Sequence, residues 1–237
     1  MHSTSPGQVI VLNGVPCSGK TTLARAFQAD LNEPWLGIDL DTFTPRLPPR
    51  RTAVLPNMCM VMIRDARESD LDEILQIRNH AIVHSTATWT DEVESLQDCF
   101  RWLAERRSAG EAVLVAEADG SVVGYAAYTR WRPKPGYRYT VADSVYVVDG
   151  HQGKGIGKML LAELIARATT AGTHVMIADI ESTNAVSINL HRSLGFVPAG
   201  DLAQIGRKFD RWLDLSILTL SLRKRGTPGR PETLNSG

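Results

Sequence analysis

Two glycine-bearing turns hold the residues best placed by type and spacing to do chemistry. In Asp149-Gly-His-Gln-Gly-Lys-Gly-Ile-Gly-Lys158, the spacing Gln152-x-x-Gly155-x-Gly157 leaves backbone N–H groups unobstructed around one point. A helix opening there adds its unpaired N-terminal donors and positive dipole end, which makes an anion-holding device with a pyrophosphate as the expected guest. The second turn, Gly14-Val-Pro-Cys-Ser-Gly19-Lys20-Thr21, has the Gly-x-x-x-x-Gly-Lys-Thr spacing. In that pattern amides wrap phosphates, the lysine meets the outer phosphates and the hydroxyl reaches magnesium.

The elements that must position the first turn are legible on both sides of it. A strand-like run over 141–148 leads in and an amphipathic run over 158–170 leads out, followed by a buried strand over 175–181 and a helix from Asn184 ended by Gly195. Upstream, residues 61–66 read as a strand. Ser69 is expected to cap a helix over 70–84, and Asp91 a second one to about residue 109. Runs 113–118 and 122–129 flank Asp119-Gly120 as a hairpin, a Pro- and Arg-bearing loop follows over 131–139, and runs 196–205 and 212–222 read as late antiparallel strands. Around the second turn the order is strand (8–13), loop, helix (22–31).

Strand, Gln-x-x-Gly-x-Gly turn, helix, strand, then Asn184-Ala-Val-Ser187-Ile-Asn-Leu-His191-Arg-Ser-Leu-Gly195-Phe196 resembles the acyl-CoA half of a GNAT N-acetyltransferase. Trp131-Arg-Pro, Ser144-Val-Tyr-Val147, Ile180-Glu-Ser and Lys208-Phe-Asp-Arg-Trp-Leu-Asp214 are most similar to the phosphinothricin and methionine sulfoximine acetyltransferases. The resemblance runs from about residue 61 to residue 222. It implies an α/β (α+β) fold with a mixed central sheet flanked by helices. Val9-Ile-Val-Leu-Asn-Gly-Val-Pro, the Ser-Gly-Lys-Thr turn and Leu36-Gly-Ile-Asp-Leu-Asp41 resemble chloramphenicol phosphotransferase-like kinases. The Pro- and Arg-rich stretch Thr44-Pro-Arg-Leu-Pro-Pro-Arg-Arg51 interrupts that likeness, because it cannot continue a helix or a central strand. About 45 residues are too few for the parallel sheet, covered on both faces, of a nucleotide kinase. The expected organisation is an incomplete P-loop segment over 1–45, a linker over 46–59, the acetyltransferase domain over 60–222 and a polar, disordered tail over 223–237. No ATP or magnesium is expected at Gly14, Gly19, Lys20 and Thr21.

The resemblance assigns expectations residue by residue. Val145, Tyr146 and Val147 match a splayed strand whose amides bind the pantetheine arm of acetyl-CoA and polarise its thioester carbonyl. Gln152, Gly153, Lys154, Gly155, Ile156, Gly157 and Lys158 would hold the pyrophosphate. Asn184 and Ser187 match positions that touch the CoA arm, and Asn184 is also a fitting helix cap. His191 stands where many relatives carry a tyrosine that protonates the leaving thiolate, a role a histidine can fill. The family's usual base is a glutamate two positions before the Ser/Thr-Val-Tyr-Val strand, and this sequence has Ala142 there. Asp143 is one residue along, on the opposite face of an extended strand, so a bulge or twist would have to re-aim it. Glu181, at the end of the neighbouring strand, is the other acid candidate, acting through water. Arg132 and Arg138 match arginines suited to grip a substrate carboxylate. Thr88 and Trp89 match a substrate-side wall, which residues 208–212 close from the far side, often at a dimer interface.

Composition agrees with this reading and narrows it. Lys plus Arg and Asp plus Glu both number 26, giving no formal net charge, so nucleic acid and anionic membrane are poor partners. Cys17, Cys59 and Cys99 are scattered without metal-ligand spacing, so no metal site is expected, and free thiols fit a reducing cytoplasm. No apolar run of spanning length and no secretory signal pattern is present. The expected protein is a cytoplasmic, homodimeric, acetyl-CoA-dependent N-acetyltransferase acting by direct transfer on the amine of a small amino-acid-like molecule. Two alternatives stay open at this point: phosphotransfer by the N-terminal P-loop, and non-catalytic acyl-CoA binding prompted by Ala142.

Overall fold

The computed structural model describes residues 9–11, as backbone, and 61–223. The P-loop residues Gly14, Gly19, Lys20 and Thr21, the linker over 46–59, the tail from 224 onward, and Cys17 and Cys59 lie outside the described residues.

One eight-stranded sheet organises the chain: β1 (Val9–Val11), β2 (Val61–Asp65), β3 (Val113–Ala118), β4 (Ser121–Arg130), β5 (Thr140–Val147), β6 (Val175–Glu181), β7 (Val197–Lys208) and β8 (Arg211–Ser221). Their spatial order is β1-β2-β3-β4-β5-β6-β8-β7. Every neighbouring pair is antiparallel except β5 with β6. The mixed sheet follows from the connections: hairpins join β3 to β4 and β7 to β8, while β5 reaches β6 through a crossover helix, as a parallel pair requires.

Helices α1 (Leu71–His84), α2 (Leu96–Ser108), α3 (Ile156–Thr170) and α4 (Ala185–Ser193) cover the two faces. Strand alternation divides the core between them. Leu114, Ala116, Ala126, Val141, Met176 and Ala178 face Leu160, Leu161 and Leu164 of α3, whereas Val113, Val115 and Tyr125 face Leu71 and Ile74 of α1 and Cys99 and Leu103 of α2.

Two helix starts differ from expectation. Ser69 does not cap α1. It lies inside a short 3-10 turn over Glu68–Asp70, because Arg64 takes both Asp70 carboxylate oxygens at 2.6 and 2.9 Å and the Arg67 N–H donates to the same carboxylate at 2.7 Å. Asp91 does not cap α2 either. Ser95 does, its hydroxyl accepting from the Asp98 N–H at 3.2 Å while the Asp98 carboxylate accepts from the Ser95 N–H at 3.0 Å, a reciprocal box. The start is delayed because Asn79 pairs with both backbone groups of Glu94, at 2.8 and 2.9 Å, and so holds residue 94 out of the helix.

The strand expected over 8–13 is present as β1, and it lies antiparallel on the outer edge of β2, with Val9 opposite Ile63 and Val11 opposite Val61. A P-loop strand of a nucleotide kinase sits among parallel neighbours. Among the described residues β1 has one neighbour, and that neighbour, β2, continues into the sheet of β3 to β8.

Candidate active site

Pairing between β5 and β6 stops after three residues, Thr140 with Val175, Val141 with Met176 and Ala142 with Ile177. Along its other edge β5 stays paired with β4 as far as Val147. The β5–β6 ladder therefore ends at Ala142, and the edge of β5 carrying Val145, Tyr146 and Val147 is left without a strand partner on that side among the described residues.

That edge runs into the glycine-rich turn. Gly155 is the N-cap of α3 with φ of +84° and ψ of −2°, a left-handed conformation that a β-carbon disfavours. A β-carbon at Gly153 would meet nothing within 4 Å, so the turn is open towards solvent at the helix N-terminus, where unpaired N–H groups collect. Lys154 and Lys158 are exposed beside it, whereas the Ile156 side chain is buried in the core and anchors the first turn of α3. Gln152 turns back, donating to the Val147 carbonyl at 3.1 Å and to Asp149 at 3.0 Å, and so braces the turn from within. Gly157 packs near Leu190 and Val147. Asn184 caps α4 by accepting from the Ser187 N–H at 3.0 Å.

Asp143 and His191 find each other. The strand alternation is regular, with no register shift between β4 and β5, so Asp143 points to the α3/α4 side while Ala142, Ser144 and Tyr146 point to the α1/α2 side. The His191 Nε2 lies 2.9 Å from Asp143 Oδ2, and the pair is buried, with side chains 4 % and 2 % exposed. The other ring nitrogen, Nδ1, lies 2.7 Å from the Ser187 carbonyl, which can only accept. With acceptors on both sides the ring is held as imidazolium. Burial opposes its charge, but the Asp143 hydrogen bond and charge, with the Ser187 carbonyl, outweigh it and raise the His191 pKa. Two of the three side chains expected to move protons are thus committed to one another, behind the sheet. Asp143 Oδ1 is buried with no hydrogen-bond partner among the described residues.

Glu181 faces the opposite side. It is buried, accepting from the Thr183 hydroxyl at 2.5 Å and from the Thr86 hydroxyl at 3.4 Å. Thr86 belongs to the segment over 85–95 between α1 and α2, which forms a wall. Lys208, only 2 % exposed, donates to the carbonyls of Ser85 at 2.8 Å and Thr88 at 2.7 Å; burial lowers its pKa against the opposing charge of Asp91. Trp89 donates its indole N–H to the Thr86 carbonyl at 3.0 Å and lays its ring on Gly206, where a β-carbon would stand 2.2 Å from the ring. The Tyr146 ring stacks on Tyr125 at 5.1 Å, and its hydroxyl, 3.5 Å from the Ala87 carbonyl, closes the wall against β5.

Arg132 lies over the Trp131 ring at 4.4 Å, and Arg138 lies over Tyr139 at 4.7 Å while donating to the Pro135 carbonyl at 3.3 Å. The two guanidiniums stack on separate rings. The positive charge of Arg132 is felt at Asp179 on β6, a residue not singled out from the sequence. Its signal was present: an acidic residue flanked by the buried, apolar Ala178 and Ile180. Among the described residues no group of three or more metal-ligating side chains exists, and no helix is long and apolar enough to cross a membrane.

Comparison with known proteins matches this geometry to a family. The acetyltransferase (GNAT) family model matches residues 73–196, from α1 to the end of α4. This chain belongs to the GNAT acetyltransferase family. An L-amino acid N-acyltransferase of Escherichia coli is 46% identical over 166 residues, covering 70% of this GNAT chain and 96% of the relative. The L-methionine sulfoximine/L-methionine sulfone acetyltransferase of Pseudomonas aeruginosa is 50% identical over 161 residues, covering 68% and 94%. A phosphinothricin acetyltransferase of Sinorhizobium meliloti, solved in complex with acetyl-CoA, superposes with a TM-score of 0.69 at 35% identity, covering 73% of this chain and 97% of that one. A second family model, the chloramphenicol phosphotransferase-like protein, matches residues 7–112. Its latter part, from residue 61, forms strand β2 of the GNAT sheet and helices α1 and α2.

Proposed function

We propose that this chain transfers an acetyl group from acetyl-CoA to the α-amine of a small amino-acid-like molecule of the methionine sulfone, methionine sulfoximine or phosphinothricin type. One observation carries the reading: β5 and β6 part at Ala142, and the open edge of β5 leads straight into the glycine turn at the head of α3. The backbone of Val145, Tyr146 and Val147 takes the pantetheine arm as an added strand would, and orients the thioester carbonyl. The amides of Gly153 to Lys158, with the exposed Lys154 and Lys158, meet the diphosphate. Asn184 and Ser187 flank the arm from α4. Thr88, Trp89 and Tyr146 line the amine side, and Arg132 receives the substrate carboxylate in two-pronged fashion, with Arg138 at the outer rim. Glu181 stays a water-linked acid on that side.

The N-terminal segment over 1–45 serves no phosphotransfer in this reading, which is supported by the antiparallel placement of β1. The protein works in the cytoplasm, consistent with the free thiol of Cys99, as a homodimer. The apolar side chains of Leu202, Ile205, Phe209 and Trp212, exposed on the β7–β8 hairpin, support that assembly.

An amine panel with acetyl-CoA, read by thiol release, tests the function. Methionine sulfone, methionine sulfoximine or phosphinothricin is expected to be turned over well above polyamines, aminoglycosides and peptide N-termini. Equal turnover across those classes, or none for the amino-acid-like members, refutes it.

A further inference from the structure

Direct transfer needs a proton acceptor on the face of the sheet where the amine waits, because an amino acid enters as ammonium and only the neutral amine attacks. Asp143 is behind the sheet, locked to His191. Glu181 is buried and already accepts from Thr183 and Thr86. Asp179 differs in placement and in exposure. The last parallel pair before the strands part is Ala142 with Ile177. Two residues on, Asp179 returns to the same face as Ala142 and Ser144, just past the point where the two strands stop pairing. Its side chain reaches solvent.

Resting on the acetyltransferase reading above, we propose that Asp179 is the general base that deprotonates the substrate ammonium. It takes one proton from nitrogen. The freed lone pair forms the C–N bond to the thioester carbonyl carbon, and the C–S bond breaks with its electron pair going to sulfur. The second proton lost from nitrogen ends on that sulfur as the CoA thiol. Asp179 then releases its proton to solvent, so the net products are amide, free CoA and one proton.

The surroundings suit this role. Partial burial raises the Asp179 pKa, the Trp131 side chain opposes by hydrogen bonding to the carboxylate, the charge of Asp143 through the sheet raises it again, and that of Arg132 opposes. The net direction is upward, towards a better proton acceptor at neutral pH. Glu181 is two residues along the same strand and face, and the β8 partner of Asp179 is the uncharged Ile217. Arg132, whose charge is felt at Asp179, would bring the substrate carboxylate, and with it the α-ammonium, to the base.

The test is Asp179→Asn in the full chain, with methionine sulfone and acetyl-CoA. The expected result is a fall in kcat of about 100-fold or more, with the acetyl-CoA-induced rise in Tm kept and the acidic limb of the pH–kcat profile abolished. Ala142→Glu in the Asp179→Asn background puts a carboxylate back on the same face from the neighbouring strand and is expected to recover about 10-fold or more of the loss. Asp179→Asn retaining a third or more of kcat with its acidic limb intact overturns the proposal. So does loss of activity that Ala142→Glu does not relieve at all. If the wild-type chain itself turns over no amino-acid amine, the failure lies in the acetyltransferase reading, and the proposal falls with it.

Discussion

Replacing Asp143 by Asn keeps the shape of the side chain and removes its charge, which isolates what the buried pair with His191 contributes. Both side chains are almost wholly sheltered, at 2 % and 4 % exposed, so solvent screening offers little relief. Breaking a buried pair by neutralising one member leaves the other charge uncompensated, at a cost of about 3–5 kcal/mol. For a domain of this size each kcal/mol lowers Tm by about 2–4 °C, giving a fall of about 6–20 °C. The pH dependence adds a sign. The folded pKa of His191 is raised, so its contribution is complete below the unfolded value of about 6.5 and is lost as pH rises through the folded one. In Asp143→Asn the ring is buried without its counter-charge and sheds its proton. The cost of the substitution is therefore largest below about pH 6.5 and shrinks at alkaline pH. Urea unfolding followed by tryptophan fluorescence at acid and alkaline pH measures both. A cost below about 1 kcal/mol at pH 6, or the same cost at both pH values, refutes the assignment of the pair as carboxylate and imidazolium.

Other outcomes follow from the amine-side wall. Lys208→Met removes the ammonium that ties down the Ser85 and Thr88 carbonyls. Steady-state kinetics should show the amine KM rising about 10-fold, from loss of charge-assisted bonds worth more than 1.4 kcal/mol together, with the acetyl-CoA KM unchanged. Gly206→Ala drives a β-carbon into the Trp89 ring and is expected to cost about 1–3 kcal/mol in thermal unfolding. Trp89→Leu in the same chain should relieve most of that cost.

Much of this arrangement can be read from the linear chain wherever the signal is local. The turn before α3 announces itself by three glycines beside an amphipathic run, and Asp119-Gly120 by its place between two strand-like runs. The end of α4 is marked by Gly195. Helix starts were harder. Asp91 and Ser95 are equally good capping residues, and the choice between them is made by Asn79, 15 residues earlier, holding Glu94. Period-two alternation correctly turns Asp143 away from the face of Ala142, but it cannot say that His191, 48 residues later, waits there. Nor can local pattern anticipate that Lys208 spans to a loop more than 100 residues upstream. Asp179 has no motif to mark it, although an acid between the apolar Ala178 and Ile180 is itself a signal.

The shortness of the β5–β6 ladder has a mechanical consequence. Among the described residues, three residue pairs form the strand ladder between β1 to β5 on one side and β6 to β8 on the other, so the sheet is two plates stitched at one end. A guest lying along the open edge of β5 completes that stitching with its own amides, and the protein should tighten as a whole when it loads. Amides across the seam, not just those in touch with the guest, would then exchange their hydrogens more slowly.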